Sequence, residues 1–115
     1  MAMFEEKLIA YLHDQTGLRV SNLRSAGRIP AEYILVQRTN GSRRDKIDSA
    51  TYAVQSISSA SKLRAAEINE QVKAAMESFE GEAYVSMCRL NADYDYTDPQ
   101  RKEYRYQSVY DIVYF

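Results

Sequence analysis

Two parts of the chain place apolar residues at the spacing of an amphipathic helix. Within residues 3–14 these positions are Phe4, Leu8, Tyr11 and Leu12. Between about Ser59 and Phe79 they are Ala65, Ile68, Val72, Ala75, Met76 and Phe79. These stripes predict a short helix that stops near Gly17 and a longer helix that Gly81 closes in a left-handed cap.

Apolar runs, mostly alternating with polar residues, predict strands elsewhere. They cover residues 18–20, 33–39, 47–57, 83–96 and 104–115. NGSRRDK, residues 40–46, follows the second run and predicts the turn of a hairpin. Asn40 and Gly41 tolerate positive φ and are a strong turn signal, although the loop is longer than the two-residue kind. The order helix, short strand, hairpin, helix, hairpin predicts one α+β domain over residues 1–115. We expect a twisted, mainly antiparallel sheet of four to five strands, with the long helix packed on it.

The last two predicted strands can be aligned by their charges. One antiparallel register places Arg89 opposite Asp111 and Asp95 opposite Arg105, and a shift by two residues loses both matches. The same register aligns tyrosines of both strands as a ladder on one face. Near the base of the hairpin the second face is also apolar and is expected to be buried under the long helix. That second face consists of Val85, Met87, Val113 and Phe115.

The final strand carries four tyrosines on one face. They are Tyr104, Tyr106, Tyr110 and Tyr114. Tyrosine rings bury apolar area while their hydroxyls stay at a wet boundary, a pattern common to cores and subunit interfaces. This strand is therefore one side of an ordinary sheet and a candidate interface. A base-stacking platform for RNA is the alternative, although the strand lacks the glycine and aromatic pattern of RNA-binding sheets.

Composition indicates a small domain without a strong overall field. The 115 residues are 45% hydrophobic and 27% charged, with 15 basic and 16 acidic residues and a formal net charge of −1. Contact with nucleic acid or an anionic membrane would therefore have to be local. Glu5 and Glu6 stand where a signal peptide would be basic, and no apolar run approaches the ~20 residues of a membrane helix. These features predict a soluble protein.

Few residues could carry catalysis or hold a metal. His13 is the only histidine and Cys88 the only cysteine, so no cysteine and histidine cluster can bind zinc. Cys88 lies in an apolar alternation and is expected to be a buried thiol in a reducing cytoplasm. DYDYTD, residues 93–98, resembles a calcium loop, but Asp98 stands where that loop needs glycine and Tyr104 where it needs glutamate. We expect no enzyme activity, cofactor or metal site.

Two predicted loops carry basic residues. The first contains Arg24 and Arg28, and the second contains Arg43, Arg44 and Lys46. One interpretation is that both are solvated loop tips. The other is that they contact nucleic acid or an acidic surface of a neighbouring subunit.

The arrangement as a whole resembles the tail terminator, or tail completion, proteins of long-tailed bacteriophages. The resemblance covers nearly the whole chain and lies in LHDQTGLRV, IPAEYILVQRTNGSRRDKIDSATYAVQSIS, KLRAAEINEQVKAAME and the ending RYQSVYDIVYF. Arg105, Tyr106 and Gln107, followed by an alternating strand, look like the usual ending of that family. The basic stretch RVSNLRSAGR and the charged connection TDPQRKE depart from its pattern. Head-closure and neck connector proteins of the same particle therefore stay open as alternatives.

The resemblance implies a structural virion protein without catalytic residues. Such a protein forms a ring, expected to be hexameric, at the head-proximal end of the tail, where it caps the tail tube and joins it to the head. The implied partners are further copies of the chain, the tail tube protein and a head-closure or neck protein, with genomic DNA in the lumen as a transient contact. Assembly would take place in the host cytoplasm. A small nucleic-acid-binding module is the alternative outside this setting.

Overall fold

The computed structural model describes residues 3–23, 30–100 and 103–115. It has two helices and a five-stranded mixed sheet, which confirms the predicted α+β class. The helices are α1 (Phe4–Thr16) and α2 (Lys62–Glu77). The strands are β1 (Arg19–Ser21), β2 (Glu32–Arg44), β3 (Ile47–Ser58), β4 (Val85–Asp95) and β5 (Tyr104–Tyr114). Arg24 and Arg28, two of the basic candidates, lie outside the described residues.

Both predicted helices are present, and their ends follow from local chemistry. α1 stops where Gly17 adopts a φ of 73°, which only glycine reaches without strain. Ser61 caps the start of α2, because its hydroxyl accepts a hydrogen bond from the amide of Arg64 at 3.0 Å. The predicted left-handed cap at Gly81 is wrong. α2 passes instead into a 3₁₀ turn, Ser78–Gly81, in which the glycine has no positive φ.

The sheet has the strand order β1-β2-β3-β5-β4. β1 runs parallel to β2, whereas every other neighbouring pair is antiparallel. β5, the tyrosine strand, is thus an interior strand, and β4 forms one edge of the sheet. The three-residue β1 covers only residues 33–35 of β2. The rest of β2 therefore forms most of the other edge.

The β2–β3 hairpin extends further than the sequence predicts. β2 continues through Asn40 and Gly41, and the turn consists of Asp45 and Lys46, whose φ angles are 51° and 66°. The predicted hairpin is confirmed and its turn lies within the predicted residues 40–46, but residues 40–44 belong to β2 and not to the loop. Gly41 has no positive φ, and the atoms nearest to a Cβ built there are those of the Arg38 guanidinium, the end of an exposed side chain. The guanidinium of that arginine lies over the glycine.

The predicted β4–β5 register is correct from Met87 to Leu90 and is shifted by one residue on either side of this stretch. Arg89 lies opposite Asp111 as predicted. Beyond Leu90 the register shifts by one residue, because Asn91 is the extra residue of a β-bulge. As a result, Asp95 lies opposite Tyr106 and not opposite the predicted arginine.

The bulge also exchanges the two faces of β4. Asp93 and Asp95 turn towards α2, where they bond its lysines. Tyr94 and Tyr96 turn to the opposite face, where their rings meet edge to face with centroids 6.0 Å apart. The predicted tyrosine ladder across β4 and β5 is therefore wrong, since an extra residue in a strand inverts its alternation.

Both helices pack on the same face of the sheet, and the core lies between the helices and that face. Its buried residues are Leu8, Leu12, Ile34, Val36, Ala50, Tyr52, Val54, Ile68, Val72, Ala75, Met76, Phe79, Val85, Tyr110 and Ile112. The tyrosine face of β5 is thus the covered face. The expectation that Met87, Val113 and Phe115 lie under the long helix is wrong, because they alternate with core residues and Phe115 is exposed. We call the face opposite the helices the open face.

Candidate functional site

The two sides of the sheet are the surfaces best suited to bind another chain. In residues 3–23, 30–100 and 103–115, no strand pairs with the outer side of β4, or with the side of β2 that faces away from β3 over residues 36–44. Unpaired edges of this length present rows of amide and carbonyl groups that can pair with a strand of another molecule. Both free edges belong to long hairpins, so they are held rigidly by the interior strands β3 and β5.

One edge is basic. We call Arg38, Arg43, Arg44 and Lys46, together with the turn that they flank, the basic hairpin. The Nε atom of Arg43 pairs with the carboxylate of Asp48 at 3.1 Å. Arg44 and Lys46 are exposed, and neither has an ion-pair partner in the described part of the chain. The three basic candidates of the second predicted loop are therefore brought together at one tip of the sheet.

The other edge is acidic. We call four carboxylates the acidic edge: Glu77 and Glu80, at the end of α2 and in the turn after it, and Asp93 and Asp95 on β4. Lys62, Lys73 and Arg89 lie beside them, so part of this negative charge is neutralised. The carboxylate of Glu80 accepts a hydrogen bond from the backbone amide of Cys88 at 2.8 Å. Because β5 lies on the other side of the strand, this amide points away from the sheet. Glu80 thus occupies one position at the base of the free edge.

Asp93 and Asp95 tie the acidic edge to α2. Burial alone would raise the pKa of Asp93, but hydrogen bonds from Lys73 and Asn69 hold that pKa below its usual value. Hydrogen bonds from Thr97, and then from Lys62, lower the pKa of Asp95 to about 2. Both carboxylates therefore stay ionised far below neutral pH.

A cleft of about 330 Å³ lies between α2 and β4, beside the acidic edge. Its apolar lining includes Met76, Leu90 and Tyr110, and the charged residues Glu70, Lys73 and Glu77 also line it. The Leu90 side chain is 50% exposed. A single exposed leucine is normal on a protein surface, so Leu90 supports an interface only together with the unpaired side of β4 on which it lies.

The tyrosine candidates divide between the core and the surface. Tyr110 is only 2% exposed under α2, so it is a core residue of the single chain. Tyr114 stacks on Phe4 with ring centroids 3.7 Å apart. Tyr106 is half-buried and Tyr104 is exposed. Because β5 is an interior strand, its backbone is already paired on both sides.

Polar side chains form a row across the open face near the β4–β5 tip. Gln55 donates to Gln107 at 3.1 Å, and Gln107 donates to the hydroxyl of Tyr94. Arg105 is only 7% exposed and donates to Gln55 at 3.4 Å. The row joins β3, β5 and β4. Arg105 and Gln107 thus find partners within the chain, although the buried Nε atom of Arg105 has none among the described residues.

The two side chains best able to take part in catalysis, the thiol of Cys88 and the imidazole of His13, have surroundings that do not activate them. Burial, followed by the nearby charge of Glu80, raises the pKa of Cys88 to about 12, so its thiolate is scarce at neutral pH. The Nδ1 atom of His13 lies 2.7 Å from the carbonyl oxygen of Leu18, which closes α1. Within the described ranges, no three histidine, cysteine, aspartate or glutamate side chains are arranged to hold a metal ion. No helix in these ranges is long and apolar enough to cross a membrane.

Comparisons with known proteins add no family. The chain matches no protein-family model and no curated protein sequence.

Sequence reasoning found the basic hairpin and missed the acidic edge. Glu77 and Glu80 belong to α2 and the turn after it, whereas Asp93 and Asp95 belong to β4. The helical period of α2 indicated that Glu77 lies outside its apolar stripe. It did not indicate that α2 would end beside β4 at the edge of the sheet. The aspartates face α2 because of the bulge at Asn91. The sequence did not predict this bulge, because one extra residue does not visibly interrupt the alternation of the strand.

Proposed function

We propose that this protein is a structural subunit of a ring, with six copies expected, at the head-proximal end of the tail of a long-tailed bacteriophage. There it caps the tail tube and joins it to the head, without catalysis. The observation that carries the proposal is that one small sheet leaves two edges unpaired in the described residues, on opposite sides of the molecule.

Two opposite edges favour assembly because each copy can contact two others. A surface that binds a different surface on the next copy makes a heterologous contact, and repeated heterologous contacts close into a ring when the rotation between copies allows it. The motif resemblance in RYQSVYDIVYF and the preceding segments supplies the phage setting. A head-closure or neck connector protein of the same particle fits these surfaces equally well.

The first test is the mass of the purified protein by light scattering over a range of concentrations, followed by electron microscopy with purified tail tubes. We expect a species larger than a monomer, and particles bound at one end of each tube. Binding to isolated heads without tails would favour the head-closure alternative. A protein that neither assembles nor binds tubes or heads would overturn the proposal.

The basic hairpin favours one alternative from another class, a nucleic-acid-binding module. In that case single-stranded or duplex DNA should bind with an affinity that falls steeply with salt. Replacing Arg43 and Arg44 together by alanine should then abolish binding, while Arg19→Ala, on β1 and away from this tip, serves as the control. No binding by the wild-type protein at low salt would remove this alternative.

A further inference from the structure

The free edges of the sheet differ in charge, and the difference decides how copies can meet. On the basic hairpin, Arg38, Arg44 and Lys46 have no ion-pair partner among the described residues, and only Asp45 opposes them in the turn. On the acidic edge, Glu77 and Glu80 likewise have no ion pair there, whereas Asp93 and Asp95 are paired with lysines of α2. Arg89 is an exposed cation on the same strand, so the excess of negative charge comes from the two glutamates. Two basic hairpins, or two acidic edges, would place like charges together, which is unfavourable. Pairing of unlike edges is the arrangement without this repulsion.

Exposed apolar residues accompany the charges on both edges. Leu90 and Tyr94 are 50% and 42% exposed on β4, and Ile47 is 42% exposed beside the basic hairpin. Large apolar side chains in contact with water on both partner surfaces provide burial that charge alone cannot. The cleft beside Leu90 can receive such a side chain.

Both edges leave an unpaired stretch long enough to pair with a strand, six residues on β4 and nine on β2. The amide of Cys88 is taken by Glu80, which leaves residues 90–95 as the part of β4 open to an incoming strand. On the other side, residues 36–44 of β2 lie beyond the reach of β1. Each stretch contains or adjoins a β-bulge, at residues 90–92 and 38–40. Bulges discourage indiscriminate pairing of edges, so a matching partner is required.

We propose that neighbouring copies join edge to edge, with the basic hairpin of one copy against the acidic edge and adjacent cleft of the next. The occupant of each edge is a second copy of this chain, and the contact is heterologous. This inference rests on the proposed ring and names the surfaces that build it. The sheet then continues from copy to copy around the ring.

The experiment uses two charge-reversal variants of the full chain. The hairpin variant carries Arg44→Glu and Lys46→Asp, since aspartate tolerates the positive φ of that turn position. The edge variant carries Glu77→Lys and Glu80→Lys. Each variant alone sets like charges against each other, so we expect the dissociation constant of assembly to rise about tenfold or more in sedimentation velocity at low salt. A mixture of the two should assemble again, because each contact then joins opposite charges.

A chain with all four substitutions gives the sharpest result, because both edges are reversed and attract again. We expect it to assemble alone, with a mass like that of the wild type. The matched control is Glu6→Lys with Asp14→Lys on the exposed side of α1, which changes the net charge as the edge variant does. It should assemble as the wild type. Far-ultraviolet circular dichroism and urea unfolding of each variant show whether a loss of assembly is a loss of fold.

The outcomes separate this contact from the proposed function. A wild-type oligomer that persists in both reversal variants would overturn the edge contact and leave the ring untouched. Disruption by each variant without recovery in the mixture or in the fourfold variant would overturn the heterologous pairing. A wild type that stays monomeric both alone and on tail tubes would overturn the contact and the ring together. If the wild type forms an oligomer that the charge-reversal variants disrupt and restore as expected, but it binds neither tail tubes nor heads, only the phage role is overturned.

Discussion

Asn69 is a buried polar residue whose side chain connects α2 to the β4–β5 hairpin. It is 2% exposed, and its amide nitrogen donates to the carboxylate of Asp93 at 2.7 Å. Lys73 holds the other oxygen of that carboxylate at the same distance. The two donors explain why a carboxylate is stable against the helix. They also explain why the bulge in β4 is tolerated, because it is the bulge that turns Asp93 towards them.

Replacing Asn69 should reveal how much this connection contributes. We expect Asn69→Asp to lower the free energy of unfolding by about 2 to 4 kcal/mol, because it buries a second carboxylate against Asp93. Asn69→Ala should cost about 1 to 2 kcal/mol, the loss of one hydrogen bond to a charged group. Urea unfolding near neutral pH measures both. As a control, Asn69→Asp combined with Asp93→Asn should recover part of the loss, and an Asn69→Asp protein as stable as the wild type would contradict the contact.

The β4–β5 hairpin shows which features of the secondary structure the sequence could predict and which it could not. Periodicity located both helices and all five strands, because a buried stripe or an alternating run extends over many residues. It also placed Arg89 opposite Asp111. It could not place the bulge at Asn91, which depends on the fit of Asp93 to donors on α2, a contact between segments distant in sequence. The same limit applies to the turn at Asp45-Lys46, since Asn40-Gly41 carried the stronger local turn signal.

Asp111 allows the register of the β4–β5 hairpin to be tested, because its hydrogen-bond partners differ from Arg89, the partner that the sequence predicted. Its carboxylate accepts hydrogen bonds from Asn91 at 2.8 Å and Thr51 at 3.0 Å, whereas Arg89, opposite in register, forms no ion pair among the described residues. We expect a double-mutant cycle of Asn91→Ala with Asp111→Ala to give a coupling energy of about 0.5 to 1 kcal/mol. The cycle of Arg89→Ala with Asp111→Ala serves as the comparison and should give about 0 to 0.3 kcal/mol. A larger coupling to Arg89 than to Asn91 would show that the bulge is misplaced.

At the scale of the whole molecule, the net charge of −1 conceals an uneven distribution. Among the described residues, the unpaired cations Arg44 and Lys46 lie at one edge of the sheet, and the unpaired carboxylates of Glu77 and Glu80 lie at the other, where Arg89 offsets part of their charge. A neutral composition therefore excludes a strong uniform field, but it does not exclude strong local attraction between copies. This is why composition alone argued correctly against a globally basic surface and yet carried no information about assembly.

This distribution predicts how assembly should respond to salt. The charges on both edges are exposed, so they are screened as the Debye length falls from about 10 Å at 0.1 M to about 3 Å at 1 M ionic strength. We expect sedimentation velocity to show weaker assembly of the wild type across this range, and the same trend in the chain with all four edge reversals. The free energy of unfolding should change much less, because the core is apolar. If assembly instead strengthens with salt, burial of Leu90 and its neighbours drives the contact, and the charges serve only to select which edges meet.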